Sequence, residues 1–165
     1  MPAKTPSKVP VFVVVVDANI TIAATFDDEK FYSLALDLLT ELGDAGARFV
    51  APPLWESETS SIVRMRAETK KTTTPDEEIE AYTFLDSIPV EIIHAPQTKQ
   101  KARDLAIQLG LNRAYDATYL ALALDESAQF WTADERFFNL VSPLYPSVKF
   151  LGNWKSGDPF MEPTP

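Results

Sequence analysis

Short apolar runs recur along the chain, and the first of them, Val11 to Val16, contains no polar residue. A run of β-branched and aromatic residues that ends at Asp17 is typical of a central strand, covered on both faces of a parallel sheet. Four further runs have the same character. They predict strands at Arg48 to Ala51, Val90 to His94, Ala128 to Thr132 and Val148 to Leu151.

Between these runs, apolar residues return every three or four positions, which is the period of an amphipathic helix. A short helix is also expected after Asp134. Strands that alternate with helices predict a three-layer α/β/α sandwich with a mainly parallel sheet of about five strands. The predicted longer helices are Asp28 to Gly43, Leu54 to about Lys71, Pro75 to Ser87 with Thr74 as its cap, Thr98 to Leu109 closed by Gly110, and an alanine-rich helix capped by Asn112 that runs to about Glu126.

A chain of 165 residues with 45% apolar content is expected to form one domain. We assign residues 1–10 to a flexible N-terminal extension, residues 11–152 to the folded domain and residues 153–165 to a C-terminal tail, loose from Gly157 onward. The first apolar run is too short for a signal peptide, and no segment has the length of a membrane span. The sequence therefore predicts a soluble cytoplasmic protein without a membrane partner.

The charge balance limits how the chain can bind nucleic acid. It carries 15 basic and 24 acidic residues, a formal net charge of −9, which argues against binding nucleic acid by charge alone. An enzyme that meets phosphates through bound metal is not excluded. With no cysteine and one histidine, His94, the chain lacks the softer ligands of a zinc site.

Four acidic residues interrupt apolar or amphipathic segments: Asp17, Glu58, Asp116 and Asp134. Asp17 and Asp134 each follow a predicted strand, and ligand sites in open α/β sheets lie beyond the carboxyl ends of the strands. Converging carboxylates repel one another unless a cation or shared protons compensate. Hard ions prefer carboxylate oxygens, so the four residues predict a Mg²⁺ or Mn²⁺ site.

These acids also have ordinary structural interpretations. Asp17 and Asp134 suit turns or helix caps, roles that do not exclude metal binding. For Glu58 the competing ligand is Glu56, two residues away, and a glutamate on a helix usually faces solvent. The helical spacing from Glu58 to Ile62 favours Glu58, because it directs this side chain toward the core.

Neighbouring residues supply candidates for supporting roles. Asn19 and Thr132 offer an amide and a hydroxyl near the same strand ends, and we expect them to orient the carboxylates or bound water. Arg113 and Arg136 lie no more than three residues from a predicted ligand and are candidates to hold a phosphate backbone. His94 has no acidic or nucleophilic partner in its local sequence and is assigned no catalytic role.

Four segments of the chain, taken in order, resemble the PIN-domain nucleases, and specifically the VapC-like toxins of type II toxin-antitoxin systems. The resemblance spans Val11 to Leu151 and carries the family's acidic metal-site pattern to Asp17, Glu58, Asp116 and Asp134. The segments are Val-Val-Asp-Ala-Asn, Ala-Pro-Pro-Leu-Trp-Glu-Ser-Glu, Tyr-Asp-Ala-Thr-Tyr-Leu-Ala-Leu-Ala and Trp-Thr-Ala-Asp-Glu-Arg-Phe.

The resemblance implies an endoribonuclease that uses Mg²⁺ or Mn²⁺ to hydrolyse RNA phosphodiester bonds, with Arg113 and Arg136 as RNA-binding residues. It also implies a homodimer and a cognate antitoxin protein that occupies the active-site groove. Two alternatives stay open. One is a non-catalytic metal- or protein-binding module of PIN or receiver type. The other is a haloacid dehalogenase-type phosphatase, although Asn19 stands where that chemistry needs a second aspartate.

Overall fold

The computed structural model describes residues 12–160. The predicted N-terminal extension, Val11 and residues 161–165 of the predicted tail lie outside the described residues. No helix in the described part is long and apolar enough to cross a membrane. The elements are β1 (Val13–Val16), α1 (Ala18–Thr25), α2 (Tyr32–Asp44), β2 (Arg48–Ala51), α3 (Leu54–Glu68), α4 (Pro75–Ser87), β3 (Glu91–Ile92), α5 (Pro96–Gln108), α6 (Tyr115–Asp125), β4 (Gln129–Thr132), α7 (Glu135–Val141), β5 (Val148–Phe150) and a 3₁₀ helix, Leu151–Asn153.

The five strands form one parallel sheet in the order β3-β2-β1-β4-β5. Strand β1 is central, and its Val14 pairs with Phe49 of β2 and with Gln129 of β4. The chain adds β2 and β3 on one side of β1 and then β4 and β5 on the other. A reversal of this kind opens a crevice between β1 and β4 at their carboxyl ends. The predicted parallel five-stranded sheet is confirmed.

Helices cover both faces of the sheet, as the alternation of side chains in β1 requires. Val15 packs into a core on one face that includes Leu120 of α6. Val14 and Val16 point the other way and pack into a core with Leu38 of α2. All three valines are fully buried, which explains why β1 tolerates no polar residue. The three-layer α/β/α architecture is therefore confirmed.

Near the crevice, one helix was not predicted and the predicted start of another is wrong. Helix α1 begins directly after Asp17, which caps it, as one of its two structural interpretations allowed. Both Ile20 and Ile22 are buried, so the helix has no polar face to reveal its period. Helix α6 begins at Tyr115 with Ala114 at its cap, and Asn112 does not cap it. The residues between Gly110 and α6 form the bend that returns the chain to the core.

Helix ends elsewhere follow backbone geometry. The capping box predicted in part by Thr74 is present, with Glu77 closing it. Gly110 follows α5 at φ 64°, as expected for a glycine that ends a helix. Helix α2, however, runs through Gly43, and the left-handed residue is Gly46 at φ 82°. Helix α5 starts at Pro96, earlier than predicted, because proline suits the first turn.

Part of the predicted C-terminal tail packs against the domain. Trp154 is only 6% exposed and belongs to the core on the α2 side of the sheet. The Phe160 ring stacks on Trp154 at 6.0 Å and meets the Trp131 ring edge-on at 6.2 Å. Between these two aromatic residues, Gly157, Asp158 and Pro159 are exposed.

Candidate metal centre

Asp17 lies at the carboxyl end of β1 and caps α1, and it is only 4% exposed. Its Oδ2 accepts a hydrogen bond from the Thr132 hydroxyl at 2.8 Å and another from Asn19 Nδ2 at 2.9 Å. The structure therefore brings both predicted supporting residues onto the Asp17 carboxylate. A buried carboxylate is held in one orientation by such donors.

The same two residues join the ends of β1 and β4. Asn19 Nδ2 also donates to Thr132 Oγ1 at 3.1 Å, and Asn19 Oδ1 accepts from the backbone N–H of Ala133 at 2.8 Å. Thr132 Oγ1 accepts from the Asp134 N–H at 3.1 Å. Thr132 and Asn19 are thus occupied by fixed partners, and the network makes the floor of the crevice rigid.

Glu58 reaches the crevice from α3, which starts after Pro52 and Pro53 turn the chain away from β2. Its side chain is half-buried, and its Oε2 accepts a hydrogen bond from the hydroxyl of Tyr119 at 2.5 Å. Glu56, the competing ligand, is exposed. The geometry therefore favours Glu58.

Tyr119 was missed by the sequence analysis. It lies one turn after Asp116 on α6, and the other buried residues of this helix are alanine and leucine. A hydroxyl-bearing residue three positions from a candidate ligand on an apolar helix shares that ligand's face. This three-residue spacing is the feature of the sequence from which Tyr119 could have been identified.

Asp116 and Asp134 face one cleft from two elements. Asp116 lies in the first turn of α6, and Asp134 caps α7 by accepting from the Phe137 N–H at 2.9 Å. Both line a cleft of about 820 Å³ together with Arg113 and Arg136. The two arginines are exposed, so the cleft carries cations on its rim and carboxylates at its inner end.

The pKa shifts show that the four acids act on one another. Burial raises the pKa of Asp17 to about 7; the Thr132 hydrogen bond opposes the rise, and the charges of Asp116 and Glu58 add to it. Burial, followed by the charges of Asp134 and Glu58, raises the pKa of Asp116. Burial also raises the pKa of Glu58. We call Asp17, Glu58, Asp116 and Asp134 the acidic cluster.

Between residues 12 and 160, no lysine or arginine forms an ion pair with the acidic cluster. In the same range, no three acidic or histidine side chains lie close enough together to hold a metal ion in their present positions. The chemistry of the donors still fits a hard divalent cation, because all are carboxylate oxygens whose negative charge lacks a cationic partner. The acidic cluster is thus suited to Mg²⁺ or Mn²⁺ in charge and ligand type.

A sequence model of the PIN domain matches residues 14–141, a range that contains the whole acidic cluster. This chain belongs to the PIN-domain family. No curated protein sequence matches it. The family assignment confirms the resemblance seen in the four sequence segments.

Two solved structures share the fold of this PIN domain. One is VapBC2 from Rickettsia felis bound to a DNA fragment from its promoter, with a TM-score of 0.59 and 17% identity over 84% of this chain and 97% of that chain. The other is VapC20 from Mycobacterium tuberculosis, described as a sarcin-ricin loop cleaving toxin, with a TM-score of 0.56 and 15% identity over 76% of this chain and 93% of that chain. At these identities the likeness is one of fold.

Two matched substitutions on α3 of the PIN domain separate the competing glutamates. Glu58→Gln should lower any Mg²⁺-dependent RNA cleavage by about 10- to 100-fold or more. Residues that support a metal site typically contribute that much to activity. Glu56→Gln should leave the rate unchanged, since Glu56 is exposed and takes no part in the hydrogen bond between Tyr119 and Glu58. Initial cleavage rates at a fixed Mg²⁺ concentration measure both. The reverse pattern would transfer the role to Glu56.

Proposed function

We propose that this PIN domain is a Mg²⁺- or Mn²⁺-dependent endoribonuclease and the toxin of a type II toxin-antitoxin pair. The observation that supports the proposal is the acidic cluster: four carboxylates from separate parts of the chain lie near the carboxyl ends of β1 and β4, where the charges of Asp116 and Glu58 raise the pKa of Asp17 and the charge of Asp134 raises that of Asp116. No protein cation in residues 12–160 neutralises them. The shared fold with VapBC2 and VapC20 supports the same class of activity.

Each part of the site has a role in this proposal. The acidic cluster would hold the metal, while Asn19 and Thr132 keep the Asp17 carboxylate oriented. A divalent ion bound there supplies a water of lowered pKa and offsets charge on the scissile phosphate. No side chain has to act as a nucleophile, which suits a chain without cysteine. Hydrolysis of this kind leaves a 5′-phosphate.

The two alternatives now stand differently. The phosphatase is disfavoured by the family and by Asn19, whose amide and carbonyl are both engaged in fixed hydrogen bonds, leaving no group for acid-base work. A non-catalytic PIN module is the remaining alternative. This alternative predicts that the protein binds metal or a protein partner without cleaving RNA. Measurements of RNA cleavage and metal binding therefore distinguish it from the nuclease.

Arg113 and Arg136 are proposed to hold the RNA backbone along the cleft. Neither forms an ion pair with any residue between 12 and 160, so both charges are free to meet phosphates. Replacing either by alanine should weaken RNA binding and reduce the slope of log affinity against log salt by about 1. Fluorescence anisotropy with a labelled RNA at several salt concentrations measures this.

A matched control for the arginines lies on α3. Arg64 is exposed but already paired with Glu68 and with Glu78. Arg64→Ala should therefore leave both the affinity for RNA and the salt slope near the wild-type values. An equal loss of RNA affinity from all three substitutions would show that binding depends on the total positive charge of the protein and not on the cleft.

The partners implied by the resemblance are an antitoxin protein and a second copy of this chain. The described surface has an apolar cleft of about 600 Å³ that a protein partner would cover, between the start of α3, the end of β3 and the starts of α5 and α6. The side chains of Leu54, Ile93 and Tyr115 line it, and Tyr115 is 51% exposed. Covering such a surface removes apolar area from water.

Cleavage of a panel of structured RNAs by the purified, antitoxin-free protein tests the proposed function. The reactions contain Mg²⁺, Mn²⁺ or EDTA, and Asp17→Asn serves as the control for contaminating nucleases. We expect cutting that requires metal and is lost in the variant. A folded protein that binds Mn²⁺ but cuts no RNA in a widened panel would instead support the non-catalytic module.

A further inference from the structure

Tyr119 places a hydroxyl inside the acidic cluster with little freedom to move. The side chain is 1% exposed, and its ring lies parallel to that of Phe130 at a centroid distance of 5.9 Å and an angle of 7°. Stacking fixes the plane of the ring, and α6 fixes its base, so the position of the hydroxyl is determined by the core. That hydroxyl donates to Oε2 of Glu58 at 2.5 Å.

Glu58 depends on this one contact. Among residues 12–160, Tyr119 is the single hydrogen-bond donor to the Glu58 carboxylate, and no lysine or arginine there pairs with it. Asp17, by comparison, is held by Asn19 and Thr132 together. A glutamate has three rotatable side-chain bonds, so without Tyr119 its carboxylate would sample several positions.

Tyr119 remains a donor in this setting. Burial, and then the negative charge of Asp17, raise the pKa of the phenol well above its ordinary value. A neutral phenol has one hydrogen to donate and the carboxylate oxygens are acceptors, so the hydroxyl donates to Glu58 and not the reverse. A protonated neutral hydroxyl can lie among carboxylates without adding to their mutual repulsion.

We propose that Tyr119 is a positioning residue for the metal: it holds Oε2 of Glu58 so that Oε1 remains available to the cation. The inference rests on the proposed metal-dependent function and adds to it a residue that the acidic pattern alone does not contain. Hydrogen-bonded partners of metal ligands typically contribute 10- to 100-fold to metal affinity. The same range is expected for the Tyr119 hydroxyl.

Mn²⁺ binding to the full chain tests the proposal, measured by calorimetry or by the loss of the free-ion signal in electron paramagnetic resonance. Tyr119→Phe removes only the hydroxyl and keeps the stack on Phe130, so it should fold and bind Mn²⁺ about 10- to 100-fold more weakly. Tyr82→Phe is the matched control: it removes a hydroxyl that donates to the Ser60 carbonyl, outside the acidic cluster, and should leave the Mn²⁺ affinity unchanged. In the Glu58→Gln background, Tyr119→Phe should have no further effect, because the group it positions is gone.

Cleavage adds a second readout. Raising the Mn²⁺ concentration should restore most of the rate of Tyr119→Phe, which a general structural defect would not permit. Wild-type affinity in a folded Tyr119→Phe protein would overturn the proposal. Should that variant not fold, Glu58→Asp replaces it, since the shorter side chain withdraws from the hydroxyl; unchanged Mn²⁺ affinity there would also overturn it. Absence of Mn²⁺ binding by the wild type would overturn the proposed metal-dependent function itself.

Discussion

Asp116→Asn should lower RNA cleavage by at least about 100-fold while leaving the fold intact, because an amide has the shape of the carboxylate but neither its charge nor its second acceptor oxygen. Asp116 lies at the inner end of the cleft that also contains Asp134 and the two free arginines. Burial and the charges of Asp134 and Glu58 raise its pKa, so the substitution relieves repulsion. The stability of the metal-free protein should therefore not fall.

The measurement is the single-turnover cleavage rate at saturating Mg²⁺, with circular dichroism and thermal unfolding to check the fold. Asp86→Asn is the matched control, since Asp86 is exposed at the end of α4 and forms no ion pair with the residues described. It should cleave at the wild-type rate. A metal-free preparation of Asp116→Asn that cuts normally once Mg²⁺ is returned would remove Asp116 from the mechanism.

Asp17→Asn should make the metal-free protein more stable at neutral pH than the wild type. The pKa of Asp17 is raised from 3.8 to about 7 in the folded state, so ionisation of this group costs no stability well below pH 3.8, where both states are protonated. As the pH rises from about 4 to about 7, the unfolded chain ionises first and stability is lost; above about 7 the loss is complete. The shift corresponds to roughly 4 kcal/mol, an upper figure that the weaker hydrogen bonds of asparagine will reduce.

Urea unfolding in EDTA between pH 4 and pH 8 measures this loss. The wild-type free energy of unfolding should fall across that interval, and the curve of Asp17→Asn should be flatter, with the two proteins nearly equal at pH 4. Adding Mn²⁺ at pH 8 should raise the stability of the wild type more than that of the variant, because the variant lacks one of the four proposed ligands. Parallel curves for the two proteins would show that Asp17 does not carry the pH dependence.

The sequence predicted the sheet better than the helix ends. Val13 to Val16 can only be a fully covered strand, because four consecutive β-branched residues suit a pleated surface and leave no polar face for water. Helix α1 escaped prediction for the complementary reason: it is buried on nearly all sides and has no amphipathic period. The cap at Asn112 failed because the position of α6 is determined by its packing, and capping preference is a weaker effect.

The site shows the same division. Asp17 and Asp134 could be found from the sequence because each follows a strand whose carboxyl end must lie at the edge where ligands bind. Helical spacing in the sequence already favoured Glu58 over Glu56, but the hydrogen bond from Tyr119 to Glu58 joins residues 61 positions apart and was not predicted. The pairing of Asn19 with Thr132 joins residues 113 positions apart and was predicted only as a shared location.

Local sequence was enough to predict which segments are buried, which oxygens are available for a hard cation, and that no thiol can act as a nucleophile. These properties follow from composition and local period, and they do not depend on how the elements are arranged. The folded chain was needed to show which hydroxyl holds the Glu58 carboxylate and that Arg113 and Arg136 remain unpaired beside the acidic cluster within residues 12–160. Those outcomes depend on contacts between distant residues, where a side chain's burial and charge are determined by neighbours that its local sequence does not contain.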